Sequence, residues 1–88
     1  MILPSKEEQR EWLTNQLEAL KQANLSAWLQ LREQEVDLEG EKDEDNRDKL
    51  ERGIKANKKI IEIHDKRIEL VEGMLKELWS SAVYQAEG

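Results

Sequence analysis

Between Leu50 and Ala82 an apolar side chain recurs every three or four residues, and this spacing constrains the fold more than any other feature of the chain. The row runs Leu50, Ile54, Asn57, Ile61, His64, Ile68, Val71, Leu75, Leu78 and Ala82. Steps of three and four return a side chain to one face of an α-helix, whereas a strand would need strict alternation. Acid-to-base pairs four apart (Asp48–Arg52, Glu51–Lys55, Glu62–Lys66, Glu72–Lys76) run in the direction that favours a helix. The spacing predicts a second helix over about 45–84, with the last residues, Gln85 to Gly88, frayed.

A matching row precedes it. Leu13, Leu17, Leu20, Asn24, Ala27, Leu31, Gln34 and Leu38 follow the same alternating steps. Ser5 with Glu8 three residues on has the form of a capping box, and Pro4 marks the way in. Gly40 offers a left-handed stop. Helix 1 is therefore expected over about 5–39, with an acidic connection over 40–44 and Asp43 or Asp45 as the next N-cap. Asn24 and Ser26 could instead end one helix and cap another, but the row passes through them in register. A connection this short makes the helices antiparallel. The expected fold is all-α, one helical hairpin domain over residues 1–88.

Composition agrees. The chain is 39% charged and 38% hydrophobic, with one proline and four glycines, too few turn residues for a β-rich fold. It has no cysteine, which excludes disulfides and thiolate metal sites. "MILPSKEEQREW" does not read as a secretion signal, and no apolar run approaches a membrane span, so a cytoplasmic protein without membrane contact is expected. The net charge of −6 conceals a strong asymmetry. Residues 33–48 carry nine acids against Lys42 and Arg47, a net of −7, while residues 49–67 carry seven bases against three acids, a net of +4.

Helix 2 is apolar over more of its circumference than one neighbour can cover. At about 100° per residue, Ala56, Ile60, Ile63, Leu70 and Met74 widen the row to an arc of roughly 200° between residues 56 and 78. Helix 1 adds Leu25, Leu29 and Val36 on one flank and Trp12, Ala19 and Ala23 on the other. A lone hairpin would leave this surface in water, which predicts a homodimer forming a four-helix bundle, or another protein in the same place. Ile60, Ile63, Leu70 and Met74, with Trp12 and Trp28 as aromatic anchors, are the expected interface. Trp12 and Trp79 should meet at the open end, and core packing is the ordinary fate of all three tryptophans. Gly53, on the inner arc, would let the two backbones approach closely, and Gly73 faces outward.

The remaining candidates are weaker. His64 has Ile60, Ile61, Arg67 and Ile68 at helical neighbour positions, so it lacks the companions a metal or catalytic site needs. It reads with Asn57 as a polar residue in the packing seam that sets register or oligomer state; a pH-sensitive interface is the sharper reading. The hinge "EGEKDEDNRD" resembles a calcium loop in composition, without its glycine and closing glutamate at the required spacing. Arg52, Lys55, Lys59 and Lys66 form a basic strip on the outer face of helix 2. A dimeric hairpin with such a face resembles the Rop-type RNA-binding proteins in architecture alone. The net charge and the lack of interleaved aromatics disfavour nucleic acid. No glycine-rich phosphate loop, activated nucleophile or paired carboxylates occur, and no cofactor is implied. The expected function is a non-enzymatic protein-interaction module, such as an adaptor, assembly chaperone or small inhibitor. A nucleic-acid-binding hairpin and a structural coiled-coil component are the alternatives, and a phage accessory protein is compatible with the size.

Overall fold

A computed structural model describes residues 4–87, with side chains described from Pro4 to Trp79. Two helices, α1 (Lys6–Gly40) and α2 (Glu44–Glu87), pack against each other along their length as an antiparallel all-α hairpin. The molecule measures 67 × 28 × 14 Å. Its long dimension is that of one helix of this length at about 1.5 Å per residue.

Each helix begins where the local chemistry supplies a cap. Ser5 is extended (φ −63°, ψ 162°), and its Oγ accepts the Glu8 N–H at 3.1 Å. The Gln9 side chain donates back to the Pro4 carbonyl at 2.9 Å, while Glu7 and Glu8 place negative charge at the positive end of the helix dipole. From there α1 runs without a break through Asn24–Ser26, so the three-helix alternative is not the fold. Its packing row is continuous there, and Ala27 at that point is buried.

The hinge differs in detail from the expectation. Gly40 is the last residue of α1, and no described glycine has a positive φ. The chain leaves the helix instead through Glu41 (φ −86°, ψ 127°), whose N–H reaches the Leu38 carbonyl at 3.3 Å. Glu41 Oε1 accepts the Asp43 N–H at 3.1 Å, and the Arg47 guanidinium donates to the Glu41 carbonyl at 3.1 Å. Asp43 rather than Asp45 caps α2: its carboxylate accepts from the Asp45 N–H at 3.4 Å and its carbonyl from the Arg47 N–H at 2.9 Å. Side chains on both sides of the turn thus satisfy the free backbone groups that a left-handed glycine would otherwise have met. The helix continues to Glu87, past the expected end at 84.

Both packing rows face inward. Every member with a described side chain is buried or half-buried, and Ala82 lies beyond those side chains. The dry interior is thin: Leu13, Ala27, Leu31, Ile54 and Val71 are the buried apolar residues, joined by Asn57 at 7% exposure. No described large side chain is fully enclosed. Two helices share only one line of contact, so the hairpin has a seam in place of a core.

Candidate protein-binding faces

What the seam does not bury lies on two opposite sides of the hairpin. Trp12 and Met74 open onto one groove, together with Leu13, Gln9, Glu8 and Pro4. Ile60, Ile63 and Leu70 point within about 40° of the direction of Met74 around α2, and Ala19, Ala23 and Ser26 within about 40° of Trp12 around α1. These residues therefore share one side of the molecule. They are all exposed, Leu70 at 63%, Trp12 at 62%, and Ile60, Ile63 and Met74 at 42–43%. Isolated exposed hydrophobes are ordinary on a protein surface; a contiguous row of them is not.

The opposite groove is lined by Leu25, Trp28, Ile61 and Ile68, with Lys21, Asn24 and Asp65 at its polar edge. Leu29 and Val36, also exposed, sit further round α1. Trp28 is 53% exposed and Trp79 is 59% exposed, so none of the three tryptophans packs in a core. Trp79 does not join Trp12 in its groove: it lies under the Arg10 guanidinium, 4.9 Å from the ring centre, a cation–π contact.

Two polar crossings tie the helices together. Asn57 donates its side-chain amide to Gln34 Oε1 at 2.7 Å, in a part-buried setting. The Gln34 amide nitrogen occupies the space above Gly53, where an added Cβ would stand only 2.7 Å from it. Gly53 is thus a contact, but what it admits is this side chain and not a closely approaching backbone. Near mid-length, Asn24 donates to Asp65 Oδ1 at 2.8 Å. Asn24 Oδ1 and His64 Nδ1 are buried there without a hydrogen-bond partner among the described residues. Asp65, next to His64 in sequence, serves Asn24.

The Gln34–Asn57 and Asn24–Asp65 pairs were missed in the sequence because each helix was read alone. In the folded hairpin Gln34 stands level with Asn57 and Asn24 with Asp65, a register centred near residue 45 and so not the one that equal counting from the 41–43 turn gives.

The basic strip borders the Met74 side: at about 100° per residue Arg52 lies at the angle of Leu70 and Lys59 about 20° from it, while Arg67 stands within the row itself. Arg52, Lys55, Lys59 and Lys66 are all exposed. Lys66 pairs with Glu62 at 3.5 Å, and among the described residues the other three expected acid–base pairs do not close to ion-pair distance. Among the described residues no three His, Asp or Glu side chains converge to hold a metal ion, and no helix is long and apolar enough to cross a membrane. No family model, curated protein or solved structure matches the chain.

Proposed function

We propose that this is a non-enzymatic protein-interaction module that works by presenting an apolar helical face to another polypeptide, as a homodimer. The observation that carries this reading is the row of Ile60, Ile63, Leu70 and Met74 beside Trp12, exposed on one side of a hairpin whose own interior is a single seam. At about 25 cal/mol per Å² of apolar surface removed from water, covering such a row contributes several kcal/mol. A domain with so few buried side chains has a net stability of similar size. Covering that side therefore stabilises the fold and supplies the binding energy together. Absence of cysteine and the acidic charge suit a cytoplasmic setting, and the small size suits an accessory protein of a phage.

A photo-crosslinking residue placed at Leu70 should capture a polypeptide, and the same group at Lys55 should not. Equal capture at both positions, or none at Leu70, would remove the reading. The nucleic-acid alternative rests on the exposed basic strip and is separable: if it held, RNA or DNA would shift at low salt and Lys55→Glu with Lys59→Glu would abolish the shift.

A further inference from the structure

The side bearing Met74 carries its own description of what fits it. Resting on the protein-interaction reading above, we infer that its occupant is a second copy of this chain, turned about a two-fold axis parallel to the helices. In that arrangement α2 of each copy lies on α1 of the other, and both hinges sit at the same end.

Shape is the first argument. On this side α2 raises a ridge of large exposed residues (Ile60, Ile63, Leu70, Met74), while α1, between Trp12 and Gln30 and with Gln16 beside them, offers the small exposed Ala19, Ala23 and Ser26. An occupant must bring a trough to the ridge and a ridge to the trough. A two-fold copy does so, because a symmetric interface uses one self-complementary patch twice. The levels match as well. Asn24 stands level with Asp65, and Arg10 with Trp79, so Ala19 is level with Leu70. Rotation about an axis along the helices preserves level, and each Leu70 meets Ala19 of the other copy. Ile63 falls level with Ser26 by the same reasoning.

Area is the second. A stable protein interface takes about 800 Å² from each partner. Half the length of a side measuring 67 × 28 Å is already a footprint of roughly 900 Å². The apolar ridge spans about 21 Å of it between residues 60 and 74, and a polar rim completes it.

Shape also chooses between the two ways of stacking these sides, and charge opposes that choice. The alternative axis, perpendicular to the helices, lays α2 on α2. It would set ridge against ridge, with Arg67, exposed midway along the ridge, facing its own copy. Same-end docking avoids this but brings together two hinges, each net −7 over residues 33–48. Those charges are solvated and are screened beyond about 10 Å at 0.1 M salt. Self-association should therefore tighten as salt rises, the reverse of what an oppositely charged partner would show.

Because the chain has no cysteine, a single Asp45→Cys substitution gives a unique spin-label position at the hinge. Light scattering of the labelled protein should give twice the 10.3 kDa chain mass, and pulsed electron resonance should place the two labels within about 30 Å, a few helix diameters. A dimer with labels separated by nearly the 67 Å length of the molecule would overturn the same-end arrangement. A monomer at ~100 μM, a thousandfold weaker than a typical tight dimer, would overturn self-association and the homodimer of the reading above, and the crosslink from Leu70 then judges separately whether the face meets a different polypeptide. Leu70→Glu should yield a monomer that is still helical. If that variant loses helicity, Ala19→Gln, which fills the trough without charge, must also give a monomer. A dimer that persists in either folded variant contradicts the proposal.

Discussion

Both long sides of the hairpin expose large apolar side chains but are built differently. On the Met74 side the large residues come from α2, apart from Trp12 near the start of α1, the small ones come from α1, and nothing charged interrupts the ridge except Arg67. On the Trp28 side the large exposed residues, Leu25 and Trp28, come from α1 and the half-buried Ile61 and Ile68 from α2, while Lys21, Asn24 and Asp65 edge the groove. Their polar crossings differ too. The Gln34–Asn57 bond leans toward the Met74 side and is part-buried, whereas the Asn24–Asp65 bond is exposed. One side sets the α2 ridge beside the small residues of α1, with Glu8 and Gln9 at its open end; the other is a groove edged by Lys21, Asn24 and Asp65. Total exposed hydrophobicity does not tell the two sides apart. Which helix supplies the bulk, and what lies opposite it, does.

Leu70 and Leu25 are a matched pair for testing this, each 63% exposed, one on each side. Sedimentation equilibrium should find self-association weakened about 30-fold or more by Leu70→Glu, the scale of a hot spot at 2 kcal/mol. Leu25→Glu should leave it within about threefold. Equal losses would erase the distinction between the sides.

Seam variants come next in size. Asn57→Ala removes the donor to Gln34 Oε1 in a part-buried site and should cost about 1–3 kcal/mol in urea unfolding. Asn24→Ala, on the exposed crossing, should cost less. His64→Leu replaces a half-buried ring whose Nδ1 is unpartnered, and should raise stability by about 1 kcal/mol. If it also broadens the set of oligomers seen, the histidine sets register in the way a polar seam residue can. A loss of stability would mean that the ring makes an interaction the single chain does not show.

Glycines sharpen the contrast further. Nothing lies within 4 Å of a Cβ built on Gly73, so Gly73→Ala should stabilise by about 1 kcal/mol from helix propensity alone. At Gly53 the same gain is opposed by displacing Gln34, and the net change should be near zero. Smallest of all, Lys66→Ala deletes an exposed ion pair and should change stability by about 0.5 kcal/mol or less.

The hairpin was legible because the seam is one-dimensional. A row such as Leu50, Ile54, Asn57, Ile61 can bury only one way on a helix, and each described member of both rows turned inward. The hinge was less so: several side chains could satisfy the same backbone groups, and Glu41, Asp43 and Arg47 did so where Gly40 had been expected to. Excess apolar surface on α2 was legible as an amount. Its division into two unlike sides was not, because that depends on how the helices face each other. Gln34 over Gly53 and Arg10 over Trp79 needed that cross-helix register as well.

The most direct measurement is solvent access to the methyl groups of the two sides, read by relaxation of methyl NMR signals with a soluble paramagnetic probe. The account predicts that Ile60, Ile63 and Met74 are shielded in the wild-type protein while Leu25 is relaxed as an open surface residue. Ile60, Ile63 and Met74 relaxing as fast as Leu25, in a chain that sediments at 10.3 kDa, would contradict it.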